Sequence, residues 1–244
     1  FYCHCTRITS FMSTSFIQIS DCHIDDEILV MDVDSSANLE RVLSNITNRE
    51  FDALLISGDL THNGTPHSYA KLQKQLKTID ADIHVIPGNH DNKHNLSSTF
   101  NTKLHNTFQL DDWQIITLDS VQINKVSGLL SEDQLHFLDE TLDRTLAKYN
   151  IICLHHPVVS MNSDWDDELS LENPEDLFEI VERYSKVKAI LWGHAHQSET
   201  FDLKGISLFS CPSTALQFNG PDNIGYNHYT LHSNGKIECK THWL

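Results

Sequence analysis

The sequence is short of positive charge, of long apolar runs and of closely paired cysteines. It has 17 Lys and Arg residues against 34 Asp and Glu, which gives a formal net charge of −17. Because nucleic acids and anionic membranes are bound through Lys and Arg, this balance argues against both as partners. A small phosphate ester is still compatible with it, since a metal ion could hold such a ligand locally.

No apolar run approaches the roughly 20 residues of a membrane-spanning helix, and no basic segment followed by an apolar one predicts a signal peptide. The six cysteines, at 3, 5, 22, 153, 211 and 239, are scattered. Such a pattern favours reduced thiols and a cytoplasmic location over a secreted disulfide framework. We expect residues 1–11 to be an N-terminal extension outside the fold and residues 12–244, which contain no linker-like segment, to form a single domain.

Short β-branched and apolar runs alternate with amphipathic segments along most of the chain. They predict strands at 16–19, 53–56, 83–86, 113–118, 151–154, 187–192, 206–210 and 227–231. Helices are predicted at 36–49, 66–79, 132–148 and 174–185. This alternation predicts an α/β fold with a largely parallel sheet, part of it antiparallel where the later strands crowd together. The acidic segment 160–173 fits either a loop over a site or a solvated connection.

A polar motif follows each of five predicted strands. These motifs are D-x-H at 21–23, G-D at 58–59, G-N-H-D at 88–91, H-H-P at 155–157 and G-H-x-H at 193–196. Ligands of α/β sheets bind outside the carboxyl ends of the strands. Each motif alone has a structural explanation, such as a turn or a hydrogen-bonded histidine, but the five together favour a metal site.

The donor types fit that interpretation, because carboxylate, amide and imidazole groups suit Mn, Fe, Zn or Co. In an extended chain residues i and i+2 point the same way, so both ends of D-x-H and of H-x-H could reach one cavity. Cys22 and Ala195 would then point away from it. The candidate ligands outnumber those of one tetrahedral ion, so we predict two ions, which in phosphoryl transfer clamp the attacking and leaving oxygens.

In this order the motifs resemble those of the calcineurin-like metallophosphoesterases. The resemblance implies a four-layer α/β/β/α sandwich of two mixed β-sheets flanked by helices. Further stretches, among them GDLTHNG, PGNHD, SGLLSEDQLHFLDETL, LHHPVV, LWGHAHQ and CPSTALQF, resemble the class III cyclic-nucleotide phosphodiesterases over residues 13–244. The implied activity is hydrolysis of 3′,5′-cyclic AMP to 5′-AMP by a hydroxide that bridges two ions, with Fe or Mn expected and Zn or Co as alternatives.

The resemblance also implies a role for each site residue. The expected ligands of one ion are Asp21, His23 and His196, those of the other are Asn89, His155 and His194, and Asp59 bridges both. The catalytic histidine is then His90, with Asp91 orienting it. The residues expected to contact the substrate are Asn89, His90 and His196. Tyrosine is an iron ligand in purple acid phosphatases at the position of His62, which leaves a supporting or a surface role open for that histidine.

Two alternatives stay open at this point. A broad phosphodiesterase or phosphatase of the same superfamily would act on glycerophosphodiesters or other nucleotides. A scaffold protein would keep the fold without the chemistry, but it would be expected to lack some of the ligands, and all seven are present. The pattern leaves the oligomeric state undecided, with a homodimer among the alternatives.

Overall fold

Strands and helices alternate along the computed structural model, which describes residues 13–218 and 223–244. The predicted extension at 1–11 lies outside the described residues. The strands are β1 (Ser13–Ile19), β2 (Ala53–Ser57), β3 (Asp82–Ile86), β4 (Asn106–Leu110), β5 (Trp113–Thr117), β6 (Tyr149–Cys153), β7 (Val187–Trp192), β8 (Thr200–Leu203), β9 (Ile206–Ser210), β10 (Gly225–His232) and β11 (Ile237–Trp243). The helices are α1 (Ser35–Ile46), α2 (Pro66–Leu76), α3 (Lys93–Phe100), α4 (Glu132–Arg144), α5 (Asp164–Glu168) and α6 (Pro174–Val181).

The strands form two mixed sheets. The first has the order β11-β10-β1-β2-β3, and the second has the order β4-β5-β6-β7-β9-β8. In the first sheet β1, β2 and β3 are parallel, and β10 and β11 are added antiparallel. In the second sheet β5, β6, β7 and β9 are parallel, with β4 and β8 antiparallel at its edges. The parallel strands therefore place five carboxyl ends, those of β1, β2, β3, β6 and β7, where the polar motifs occur.

Three apolar layers hold the sheets and helices together. Side chains from both sheets meet in the middle, among them Phe16, Leu55, Ile115, Ile151 and Leu191. The outer face of the first sheet packs against α1 and α2, and that of the second against α4 and α6. Because alternate residues of a strand point to opposite faces, two-sided burial explains why these strands are apolar almost throughout. The predicted α/β/β/α sandwich is confirmed.

Helix boundaries follow local capping. The side chain of Thr65 accepts a hydrogen bond from the Ser68 amide, and Pro66 occupies the first turn of α2. The side chain of Ser131 caps α4 in the same way. However, α4 ends at Arg144, and Leu146, which lies inside the predicted helix 132–148, is 99% exposed. The chain turns into an extended conformation at Thr145 to enter β6, so the apolar periodicity overruns the helix.

Sequence periodicity missed β4, β8, β11, α3 and α5. All three strands lie at sheet edges, where one side of the strand has no neighbour and fewer apolar residues are required. The helix α3 buries only Leu96 among its residues, and the five-residue α5 lies inside the segment predicted as irregular. In the described parts of the chain, no helix combines the length and the apolar character required to cross a membrane.

Candidate metal centre

The predicted ligands meet where the two sheets adjoin. Asp21 and His23 follow β1, Asp59 follows β2 and Asn89 follows β3, all on the first sheet. From the second sheet, His155 follows β6, and His194 and His196 follow β7. Asn89 is partly buried and the other six residues are buried. Loops that are distant in sequence thus contribute to one polar cluster.

One group of donors comprises Asp21, His23 and His196. The Nε2 atoms of the two histidines are 3.2 Å apart, and Nε2 of His196 is 3.5 Å from Oδ1 of Asp21. The Nδ1–H of His196 donates to the carbonyl oxygen of Leu216 at 2.8 Å. That bond fixes the tautomer, so Nε2 of His196 faces the other two donors with its lone pair.

A second group comprises Asn89, His155 and His194. The side-chain oxygen of Asn89 is 3.3 Å from Nε2 of His155 and 3.0 Å from Nδ1 of His194. The Nδ1–H of His155 donates to the carbonyl oxygen of Ser57 at 2.8 Å, which again directs Nε2 toward the cluster. His194 and His196, although only one residue apart, therefore point into different donor groups.

Asp59 lies between the two groups. Its Oδ2 is 3.7 Å from Nε2 of His23 in the first group and 3.5 Å from Nε2 of His155 in the second. Its Oδ1 accepts a hydrogen bond of 2.9 Å from the backbone N–H of His90. Asp59 thus faces histidines of both donor groups.

The backbone that presents these side chains is left-handed, whereas the sequence pattern predicted an extended chain at D-x-H and H-x-H. Positive φ angles occur at Asp21 (53°), His23 (44°), Asp59 (48°), His194 (64°) and His196 (49°). Non-glycine residues adopt this region rarely, although Asp, Asn and His are enriched in it. Alternate side chains still diverge as predicted, because Cys22 and Ala195 are buried in the apolar layers on either side.

Glycines allow the loops to approach the ligands closely. A Cβ atom at Gly58 would lie 2.1 Å from Nδ1 of His155, and one at Gly193 would lie 1.9 Å from the hydroxyl oxygen of Ser20. Neither neighbour is free to move, since His155 is buried and hydrogen-bonded and Ser20 is buried. The glycines of the G-D and G-H-x-H motifs are thus required by space.

Gly58→Ala is expected to lower the free energy of unfolding by about 2–5 kcal/mol. The alanine would be strained at a positive φ angle, and its Cβ would also clash with His155. Gly205→Ala is the matched control, because Gly205 has a similar φ (+85° against +103°) and no described atom within 4 Å of the added Cβ. It should lose only about 1–2 kcal/mol. Urea denaturation of both variants measures the difference, and equal losses would show that His155 does not restrict this position.

The catalytic candidate His90 is held by two neighbours. Its Nδ1–H donates to the carbonyl oxygen of His62 at 3.0 Å, and its ring stacks on that of His62, with centroids 4.6 Å apart. The Nδ1 atom of His62 is in turn 3.3 Å from Nδ1 of His23. Of the two roles left open for His62, the structure therefore favours the supporting one.

Asp91, which was expected to orient His90, makes no described hydrogen bond to its ring, because the carboxylate is engaged elsewhere. Its carboxylate accepts hydrogen bonds from the backbone amides of Gly88, Leu60 and Thr61 and from the hydroxyl of Tyr69. These bonds hold the G-N-H-D turn against the loop after β2. Asp91 therefore positions His90 through the backbone, because the acceptor at the imidazole is a carbonyl oxygen and the carboxylate is already engaged.

His156 also lies near the second donor group, but both of its ring nitrogens are hydrogen-bonded elsewhere. Its Nδ1 pairs with the hydroxyl of Ser120 at 2.8 Å, and its Nε2 with the carbonyl oxygen of Val126 at 2.9 Å. With no lone pair left toward the cluster, His156 fixes the loop after β5.

The donor set fits metal ions. Oδ1 of Asp21 is fully buried and has no hydrogen-bond partner among the described residues, while it faces the first donor group. Nε2 of His155 faces two oxygen acceptors, so it must meet either a proton or a cation there. A buried polar atom without a partner is destabilising, and a cation would satisfy these donors together.

The carboxylates at the centre are held in their charged forms. Burial alone would raise the pKa of Asp59, but the neighbouring imidazole of His155 outweighs it and holds this pKa well below its usual value. Burial also opposes ionisation of Asp21, yet His196 beside it lowers the pKa to about 2. Both groups are therefore carboxylates at neutral pH, the form that binds metal.

Burial keeps two imidazoles at the centre neutral, those of His23 and His194. Burial lowers the pKa of His23 to about 3 and that of His194 to about 4. Burial acts on His155 in the same direction, but the charge of Asp59 outweighs it and raises the pKa of this imidazole to about 9. Without an ion His155 carries a proton that metal binding must displace.

Known proteins resemble this chain in sequence and in fold. A family model described as "Calcineurin-like phosphoesterase" matches residues 14–198. A "Probable cyclic nucleotide phosphodiesterase" of Vesicomyosocius okutanii is 51% identical over 233 residues, with 96% of this chain and 100% of the relative covered. The 3′,5′-cyclic adenosine monophosphate phosphodiesterase CpdA of Haemophilus influenzae is 32% identical over 241 residues, with 92% and 88% covered. A dimetal phosphatase structure from Danio rerio shares the fold, with a TM-score of 0.73 at 14% identity and coverage of 93% and 98%.

Proposed function

The chain belongs to the calcineurin-like phosphoesterase family, and on that premise we propose that it hydrolyses 3′,5′-cyclic AMP to 5′-AMP with two bound metal ions. The observation that carries the proposal is the position of Asp59, within 4 Å of one histidine from each donor group (3.7 Å and 3.5 Å). The relatives named as cyclic-nucleotide phosphodiesterases support the choice of substrate.

The proposed ligands divide as the donor groups do. Asp21, His23 and His196 would hold one ion, Asn89, His155 and His194 the other, and Asp59 would hold both. The nitrogen and oxygen donors suit Fe or Mn, with Zn or Co as alternatives. When bound, such ions make water a nucleophile at neutral pH and offset the charge of a phosphoryl group.

The protein residues supply orientation and a proton. The Nδ1–H of His90 is occupied by the carbonyl oxygen of His62, so Nε2 is the nitrogen available to the substrate. A proton on Nε2 can pass to the 3′-oxygen as its bond to phosphorus breaks. The backbone N–H of His90 donates to Asp59, which holds this residue beside the carboxylate that would share the two ions. Asn89 and His196 lie in the two donor groups beside it and would contact the phosphate.

A substrate panel tests the proposal. We expect metal-loaded protein to convert cyclic AMP to 5′-AMP, with activity lost in chelator and restored by Mn²⁺ or Fe²⁺. The panel should also contain cyclic GMP, 2′,3′-cyclic AMP, glycerophosphodiesters and bis(p-nitrophenyl) phosphate, each followed by product chromatography.

The outcomes of the panel separate the alternatives. Turnover of glycerophosphodiesters or bis(p-nitrophenyl) phosphate without turnover of cyclic AMP would replace the proposal with a broad phosphodiesterase. Protein that binds no transition metal by elemental analysis and hydrolyses no ester would indicate a scaffold.

A further inference from the structure

Two exposed aromatic rings lie beside the proposed metal ligands. The ring of Phe218 stacks on the imidazole of His196, with centroids 4.0 Å apart and planes inclined by 13°. Trp165 meets Phe218 edge-on at 5.3 Å. Despite these contacts Trp165 is 54% exposed and Phe218 is 40% exposed. The fold therefore leaves much of both rings in water, where apolar surface is unfavourable unless a ligand covers it.

Hydrogen bonds to His196 and Gln197 fix the positions of both rings. The side-chain amide of Gln197 donates to the carboxylate of Asp166 at 3.0 Å, which ties α5, and with it Trp165, to the residue after His196. Asp166 is itself buried. The carbonyl oxygen of Leu216, two residues before Phe218, accepts from Nδ1 of His196. The rings are thus placed relative to His196 from two separate segments, the helix α5 and the loop after β9.

We infer that Trp165 and Phe218 form the subsite that stacks the purine base of the nucleotide, an inference that rests on the proposed function. A cyclic nucleotide has one charged end, the phosphate, and one flat neutral end, the base. The donor cluster takes the first, and the neighbouring aromatic pair offers a surface for the second. Stacking on aromatic side chains contributes about 1–3 kcal/mol per base.

The negative charge around Trp165 and Phe218 also favours a cyclic mononucleotide. The helix α5 has Asp164, Asp166 and Asp167 in its first turn and ends at Glu168. A second phosphate directed toward these carboxylates would be repelled. Nucleoside diphosphates and triphosphates are therefore disfavoured, and a glycerophosphodiester has no flat group to place on the rings. A cyclic mononucleotide satisfies both restrictions.

The test compares Trp165→Ala with wild type on two substrates. One is cyclic AMP, and the other is methyl riboside 3′,5′-cyclic phosphate, in which a methoxy group replaces adenine. We expect KM for cyclic AMP to rise about 5- to 150-fold, which corresponds to the loss of one stacked base, with kcat changed less than about threefold. The kinetics of the baseless substrate should stay unchanged, and Trp165→Phe, which keeps a ring, should restore most of the affinity for cyclic AMP.

Three outcomes contradict the inference, and a fourth addresses the proposed function instead. Equal loss on both substrates would mean that Trp165 only supports the fold. An unchanged KM for cyclic AMP would mean that no base contacts the ring. If wild type does not turn over cyclic AMP, the proposed function fails. Fluorescence then still tests the stacking surface: 5′-AMP should quench Trp165 and ribose 5-phosphate should not, with Trp165→Phe as the reference. If the two compounds quench equally, the stacking surface is contradicted. Trp243→Ala, which deletes another exposed tryptophan, is the control for both assays.

Discussion

Asp59→Asn should lower kcat/KM for cyclic AMP by about 10³-fold or more, which corresponds to about 4 kcal/mol of transition-state stabilisation. Asparagine has the same shape and tolerates the left-handed backbone (φ 48°), so the fold should persist. What changes is the charge, because a buried carboxylate within 4 Å of one histidine from each donor group (3.7 Å and 3.5 Å) becomes a neutral amide. An amide is a weak ligand for the two ions that are proposed to share this residue.

Two readouts show whether the loss arises through the ions. Elemental analysis should find less metal in Asp59→Asn than in wild type after identical loading. The increase in melting temperature that Mn²⁺ produces in wild type should shrink, because a ligand stabilises a protein only as far as it binds the folded state.

Asp52→Asn is the matched control. Asp52 precedes the same strand, β2, that Asp59 follows, and its carboxylate accepts from the hydroxyl of Thr14 and the amide of Ser15, at the opposite end of the sheet from the metal centre. Its metal content and activity should equal those of wild type. Full metal content and near-wild-type rate in Asp59→Asn would remove this carboxylate from the proposed centre.

His90→Ala should lower kcat by about 10²- to 10⁴-fold, the range typical of a lost general acid or base, while metal content stays at the wild-type level. The backbone N–H that donates to Asp59 remains in the variant, so the carboxylate keeps its support. Because the phosphate would still be bound by the ions, KM should change much less than kcat.

Chemical rescue separates a proton donor from a structural support. Since His90 is only partly buried, added imidazole should enter the space left by the ring and restore part of the rate. His94→Ala, on the exposed surface of α3, should behave like wild type. Loss of metal from His90→Ala, or a kcat within about threefold of wild type, would be incompatible with the role assigned to this imidazole.

Much of the fold and the location of the site could be predicted because they depend on local patterns. Apolar runs, which are buried on both faces, predicted the central strands. The polar motifs after these strands predicted the place where Asp21, Asp59 and His155 meet. The edge strands were missed because β4, β8 and β11 have few apolar residues and depend on a neighbouring strand for their hydrogen bonds.

The supporting contacts could not be predicted, because the groups that make them are backbone atoms. The carbonyl oxygens of Ser57 and Leu216 fix the tautomers of His155 and His196, and every residue type has such an oxygen. Asp91 illustrates the same limit. The resemblance implied that Asp91 orients His90, whereas its carboxylate accepts from amides that only the folded turn brings together.

The left-handed backbone at the centre makes the site a compromise between stability and activity. Each non-glycine residue in this conformation costs roughly 1–2 kcal/mol, and five proposed ligands adopt it, at Asp21, His23, Asp59, His194 and His196. Glycine at these positions would relieve the strain and remove the ligand at the same time. The folded protein without ions is therefore less stable than the same architecture could be. Substitutions that raise the stability of the metal-free protein at these positions would lower its activity.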